Sequence, residues 1–338
     1  MFSFIYFAFA SLLLSLPLLC SAAPLQYRRS QASPQKRDSY TLQDTYAGAN
    51  FFDSWTFFDS SDPTDGYVAF RNQSAAMSQG LAKVDSNGTI IVGVDSTTTL
   101  TTDQLNAGEY RGSVRISTQK TYNGGLFIYD VIKMPVGCTT WPAIWSTATD
   151  SWPNNGEIDM IEGVHESTQN QVSIWLGGVK PSSRSISGSV SNLVENTDYS
   201  NCDSTTNDNG CPTMDPTQNG WGANFNANGG GVFAKLWDPE VGIKIWHFTR
   251  SNIPADITSK NPDPSSWGNP VSFLPNGDNC DIASRFKDHM LIIDITLCGD
   301  WAGSSYSCGG TCLAATGDPS NYVDAQFMLN SILVYQAS

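Results

Sequence analysis

Residues 154–163 read NNGEIDMIEG, with carboxylates at Glu157, Asp159 and Glu162 among large apolar side chains. On an α-helix, at about 100° per residue, Glu157 and Asp159 would point about 200° apart, and no single site could use both. On a strand they share a face, because side chains alternate with a period of two. Glu162 then has the wrong parity, since five residues separate it from Glu157. One extra residue between Asp159 and Glu162 corrects this, and a β-bulge supplies such a residue. The spacing therefore predicts a bulged strand with three acids in a row on one face, while Ile158, Met160 and Ile161 supply the buried side and the bulge.

Like charges held together raise at least one carboxyl pKa. A retaining glycosidase uses that: one ionised carboxylate attacks, and one protonated carboxyl about 5–5.5 Å away serves as acid. Glu157 and Glu162 are the candidate pair, with Asp159 between them to orient and tune the nucleophile. Spacing does not say which glutamate attacks. A Ca²⁺ loop would carry Asp, Asn and Gly at alternate positions rather than Ile and Met. A solvated acidic face would not be flanked by WPAIW and by further apolar runs.

The surrounding chain reads as all-β. Of its 338 residues, 40% are hydrophobic and only 15% charged, and short runs rich in Val, Ile, Thr and aromatics recur between turn signals. They include GTIIVGVD (88–95), GSVRISTQ (112–119), GGLFIYDVIKM (124–134), NQVSIWLG (170–177), VGIKIWHFT (241–249), HMLIIDITL (289–297) and NSILVYQ (330–336). No run carries a long helical period. A two-sheet sandwich or jelly roll is expected, with long loops over 179–231 and 252–282.

Residues 2–20 are almost wholly apolar and are followed by Ser21-Ala22-Ala23, which reads as a secretory signal over 1–22 rather than a membrane anchor. A polar stretch with dibasic pairs reads as a pro-segment over 23–37, leaving one catalytic domain over 38–338. Seven cysteines follow Cys20, so at least one lacks a disulfide partner. Cys202/Cys211 and Cys308/Cys312 are close enough in sequence to bridge within loops, but connectivity stays open. The sequons Asn72-Gln73-Ser74 and Asn87-Gly88-Thr89 also suit a secreted surface. With a net charge of −14 and no basic run, nucleic acid is set aside as a partner. Three scattered histidines give no zinc pattern. No cofactor is expected.

WPAIWSTATDSWPNNGEIDMIEG (141–163) resembles the active-site region of family 16 glycoside hydrolases of the fungal laminarinase-like, endo-1,3(4)-β-glucanase type. The likeness also takes in FFDSWTFFDSSDPTDGYVAF (51–70), NFNANGGGVFA (224–234), CDIASRFKDH (280–289) and CGDWAG (298–303). The resemblance implies a jelly roll of two antiparallel sheets with a substrate cleft across its concave face. It also implies a secreted, monomeric enzyme acting on poly- or oligosaccharide by retaining double displacement. Carried over by position, Glu157 would be nucleophile, Glu162 acid/base and Asp159 the assisting acid. Trp145, Trp152 and Trp301 would be sugar platforms, with Trp141 a further candidate, and Arg115 would offer its fork of donors to hydroxyls.

One departure stands in NQVSIWLGGVK. The family usually places a His where Trp175 stands, lining the leaving-group side, with a Cys a few residues later. Neither is present here, which would account for the odd cysteine count and imply an altered leaving-group subsite at Trp175. Two readings follow. The first is a hydrolase of β-1,3 or mixed β-1,3/1,4-glucan, with another β-1,3-glycan such as β-1,3-galactan, or transfer to a sugar acceptor, as variants within the class. The second is a non-catalytic glucan-binding protein, against which the intact acids speak.

Overall fold

The acid segment forms the strand Glu157–Glu162, and its neighbours decide where the acids point. The computed structural model describes residues 39–177, 202–205, 210–277 and 280–337. The expected signal and pro-segment, and most of 178–209, lie outside the described residues. Arg37–Ser338 make one compact unit.

Two large antiparallel sheets pack face to face. The first, here the cleft sheet, has among the described residues seven strands in the order Thr213–Met214, Gln171–Trp175, Glu157–Glu162, Thr140–Thr147, Met290–Leu297, Arg115–Thr118 and Trp55–Phe57. The second, the back sheet, has eight among the described residues. Its path runs Ser272–Pro275, Gly242–Thr249, Gly231–Asp238, Gly125–Lys133, Gln326–Ala337, Ile90–Gly93 and Ala82–Val84, with Tyr40–Ala47 also paired to Gln326–Ala337. A short parallel pair, Val68–Phe70 with Arg111–Ser113, stands apart. Helices among the described residues are short, in line with the missing helical period.

Alternation along each strand of the cleft sheet sorts the side chains. In Thr140–Thr147, Trp141, Ala143, Trp145 and Thr147 face the cleft, while Ile144 and Ser146 are fully buried toward the back sheet. In Met290–Leu297, Ile292, Asp294 and Thr296 face the cleft, and Ile293 and Ile295 join the core. The core between the sheets is one cluster reaching from Ile116, Ile144 and Ile158 to Phe127, Phe233 and Val334. Each such aliphatic side chain, fully buried, stabilises the fold by about 1.5–3 kcal/mol.

The seven quoted runs all contain strands. The strand Thr140–Thr147 is less legible because Pro142 lies within it. Its pairing with the acid strand runs from Glu157↔Thr147 to Glu162↔Ala143, so the proline sits one position beyond the last paired residue and interrupts no ladder on that side. The proline-rich stretch 252–282 is a cover rather than an open loop. Ile253, Ile257 and Trp267 close over Leu126, Val232, Trp246 and Leu333 on the outer face of the back sheet. The Asp256 carboxylate fastens it, accepting from the Asp263 amide at 2.6 Å and from the Trp267 indole at 2.8 Å.

Candidate active site

The predicted bulge is present. Against Gln171–Trp175, Asp159 pairs with Ser173 and Glu162 with Gln171, so three steps on the acid strand answer two on its partner. The register against Thr140–Thr147 shifts between Asp159 and Ile161. Glu157, Asp159 and Glu162 all line one cleft, while Ile158, Met160 and Ile161 are buried. A bulge leaves backbone groups without ladder partners, and a buried unpaired amide or carbonyl is costly. Asn170 meets that need: fully buried, its amide donates to the Met160 carbonyl at 3.0 Å and accepts from the Glu162 amide at 2.9 Å. The two glycines bracketing the motif have separate reasons. Gly156 has φ +73°, and a Cβ there would meet the Phe286 ring at 2.5 Å; at Gly163 one would meet the Trp221 ring at 2.6 Å.

Each acid has a distinct partner. The Glu162 carboxylate accepts from the Trp141 indole at 2.8 Å and from the Ser173 hydroxyl at 3.2 Å, and Gln171 in turn donates to Ser173 at 3.0 Å. Asp159 accepts from the Trp175 indole at 2.9 Å. Trp152 and the Arg115 guanidinium lie close enough to Glu157 to favour its charged form. A fourth carboxylate, Asp294, shares this face from the strand Met290–Leu297 and accepts from the Trp145 indole at 2.6 Å.

Crowding and burial move all four in one direction. Burial pushes Glu157 up, the charge of Glu162 adds to it, and Arg115 opposes it. Asp159 is raised by burial and then by both glutamates. Glu162 is raised by burial and held back by its Trp141 and Ser173 donors. Asp294 rises to about 6, mainly through burial, with Arg115 opposing. Burial and mutual repulsion therefore favour a proton on part of the row, the kind of environment acid/base chemistry uses.

This has a consequence for stability. A carboxyl whose folded pKa is raised holds a proton that the unfolded chain has released. Its contribution is fully present below about pH 4 and is lost as pH rises through the folded value. His289, pushed down to about 3 by burial, and His165, also lowered by burial, work the other way below the ordinary histidine value, but they are two groups against four. The melting temperature should fall from pH 5 to pH 7, and more steeply in the wild type than in Asp159→Asn. Parallel slopes in differential scanning calorimetry would show that Asp159 titrates normally in the fold.

The cleft has a volume of about 680 Å³. Of the residues singled out in the sequence, Arg115, Trp141, Trp145 and Trp152 line it beside the three acids. The Arg115 guanidinium carbon lies 5.0 Å from the centroid of the Trp145 ring and 5.1 Å from that of Phe58. Trp152 is 50% exposed at the rim, an apolar plate open to a sugar face. Trp301 stands behind Trp141 in an edge-on contact of 5.7 Å rather than on the cavity lining. Two disulfides hold it there: Cys298–Cys312 closes its segment, and Cys138–Cys308 ties that segment to the residues before Trp141. Cys308 and Cys312 thus bridge to different partners, whereas Cys202–Cys211 does bridge within its loop. Trp175 is also off the lining. Its indole N–H is committed to Asp159, and a Cβ at Gly210 would meet its ring at 2.8 Å, so that residue already approaches the indole.

Asp294, Asn170 and Ser173 were not singled out in the sequence. For Asp294 a signal existed, a lone acid inside HMLIIDITL with the same parity as Ile292 and Thr296. For Asn170 no periodicity could have helped, since its partners are backbone atoms exposed only by the bulge.

A sandwich of two antiparallel sheets with a carboxylate row on a bulged strand, set in an aromatic cleft, has the architecture of a jelly-roll glycoside hydrolase. A family model described as the XgeA-like, catalytic GH16 domain matches residues 55–335, and the chain belongs to glycoside hydrolase family 16. It is 39% identical over 321 residues to a probable endo-1,3(4)-β-glucanase of Aspergillus niger, a match covering 91% of this chain and 41% of that protein. The chain spans less than half the length of this and other curated relatives that it matches. Among solved structures it is similar to laminarinase 16A from Phanerochaete chrysosporium carrying two β-glucans in donor and acceptor sites. That similarity has 38% identity and a TM-score of 0.78, and it covers 88% of this chain and 100% of that one. It is equally similar to an elongating family 16 β-1,3-glucosyltransferase, with 36% identity, a TM-score of 0.79 and the same coverage.

Proposed function

We propose that this domain is a retaining, endo-acting hydrolase of β-1,3 or mixed β-1,3/1,4-glucan. The observation that carries the reading is the bulge, which turns Glu157, Asp159 and Glu162 onto one face of an open cleft. Glu157 attacks the anomeric carbon; Glu162 protonates the departing oxygen and then activates water; Asp159 orients Glu157 and tempers its charge. Trp145, Trp152 and Arg115 hold the sugar chain, with Trp141 fixing Glu162 and Trp301 supporting Trp141. The names of the relatives, endo-1,3(4)-β-glucanase and laminarinase, supply the substrate class. Residues 1–22 serve as an export signal, 23–37 as a pro-segment and 38–338 as the secreted, monomeric catalytic domain. Asn72 and Asn87 are both exposed and fit N-glycosylation in that setting.

The test is incubation with laminarin, lichenan, curdlan and β-1,3-galactan, with product masses and the anomeric form of the first product. Internal cleavage with retained β configuration is expected. No sugar release from any of the four would leave only the glucan-binding reading.

Transfer to a sugar acceptor is kept as a second reading, because the chain is as similar to the glucosyltransferase as to the laminarinase. Trp175 bears on both. Its indole can donate but not accept, so it fixes one Asp159 oxygen as an acceptor. Trp175→Phe removes that donor, and leaving a buried acceptor unsatisfied costs about 1–3 kcal/mol. The expected result is a fall of about 10-fold or more in kcat on laminarin, with partial recovery in Trp175→His and a changed ranking of laminarin, lichenan and β-1,3-galactan. A melting temperature that drops with activity in both variants would instead make Trp175 a packing residue.

A further inference from the structure

Along the back-sheet strand Gly231–Asp238, alternation turns Phe233, Lys235 and Trp237 toward the cleft sheet. Lys235 is only 2% exposed. An ammonium between two sheets loses its hydration and needs other company. Its Nζ donates to the Ser146 hydroxyl at 2.7 Å and lies 4.7 Å from the centroid of the Phe127 ring. Ser146 is the core-facing residue paired in register with Ile158 of the acid strand. On the far side of Ser146, His289 Nδ1 is 3.2 Å from the same hydroxyl, and His289 Nε2 is 2.7 Å from the Asn155 carbonyl oxygen. A carbonyl only accepts, so the imidazole proton sits on Nε2, and Nδ1 accepts from Ser146. A chain of donors therefore runs from Lys235 through Ser146 and His289 to Asn155, three residues after Trp152.

We propose that Lys235 is a positioning residue for catalysis, a cation lodged behind the acid strand that offsets the carboxylate row from the core side and helps keep the nucleophile ionised. The proposal rests on the reading of Glu157 as nucleophile. The charge argument is short. Four carboxyls share the cleft face, and hydrolysis needs Glu157 ionised while Glu162 keeps its proton. Asp294 lies in the field of Arg115, so one guanidinium faces two anions, and Lys235 is the second cation. Burial lowers the Lys235 amine to about 7, and the charge of Asp159 works against that lowering. The titratable and charged groups near it are His289, beside Met290–Leu297 on the same side of the cleft sheet, and Asp159, whose charge acts through the acid strand from the cleft face. His289 stays neutral, and no other charged side chain of the Lys235 strand points into the core.

The experiment is Lys235→Met, assayed on laminarin for kcat and KM from pH 4 to pH 8, with a melting curve. Loss of the cation raises the carboxyl pKa values, so the acid limb of the profile should move up by roughly 0.5–1 pH unit. KM should change little, and the melting temperature should hold or rise, because replacing a buried charge by an apolar side chain is often neutral or stabilising. Ser146→Ala keeps the amine but strips its partner, and it should shift the limb in the same direction by less. It decides the matter if the methionine variant does not fold. A carboxyl ¹³C titration of Glu157 in wild type and variant reads the same shift without turnover, so a failure of the hydrolase reading stays separate from a failure of this one. Superimposable titrations and profiles in folded variants would overturn the role of Lys235.

Discussion

Glu157→Gln leaves a folded protein that no longer hydrolyses laminarin. The amide has the size and shape of the acid, so the ladder with Thr147 and Trp175 is retained. What is lost is the nucleophile, because a neutral amide does not form the glycosyl ester. Removing the attacking group from a covalent mechanism costs several orders of magnitude, and a fall in kcat of at least about 10⁴-fold is expected. Burial and the neighbouring acids destabilise the Glu157 charge, so the variant should also melt at or above the wild-type temperature at pH 7. Residual hydrolysis within about 100-fold of wild type would falsify the assignment of Glu157.

Glu162→Ala should separate two classes of substrate. With a natural glucan the departing oxygen is a poor leaving group and needs a proton from Glu162, so kcat falls by about 10²–10⁴-fold. With an aryl β-glucoside carrying a good leaving group, the first step needs little protonation and suffers less. The vacated space beside Trp141 and Ser173 admits a small anion, so azide should restore turnover and yield the β-glycosyl azide. An α-azide, or an equal loss on both substrates, would assign Glu162 some other role.

The acid row was legible in the sequence because it obeys a rule of parity. Glu157 and Asp159 agree with a strand, Glu162 disagrees by one, and a single bulge reconciles them. The strand runs were legible for the same reason, since Ile292, Asp294 and Thr296 alternate with Ile293 and Ile295. What parity cannot give is depth or distance along the chain. Cys138 finds Cys308 across 170 residues, which local spacing could not reveal. His289 reads as an ordinary strand residue and Lys235 was not singled out, because alternation says which face a side chain takes, not what lies opposite. Asp294 was passed over as one acid in an apolar run. Trp175 and Trp301 share an aromatic signature with the cleft-lining tryptophans, yet one serves Asp159 and the other Trp141.

The extra residue in the acid strand acts like a frameshift. Upstream of Met160 the alternation runs in one frame, downstream in the other, and both glutamates reach the cleft only because the frame changes between them. Substitutions here are graded in effect. Loss of the bulge is not: a regular ladder over the same residues would turn Glu162 into the apolar interior while Glu157 stayed in place. The Asn170 side chain, holding the Met160 carbonyl and the Glu162 amide together, marks where the frame changes. The motif therefore depends on where its frame changes as much as on its letters.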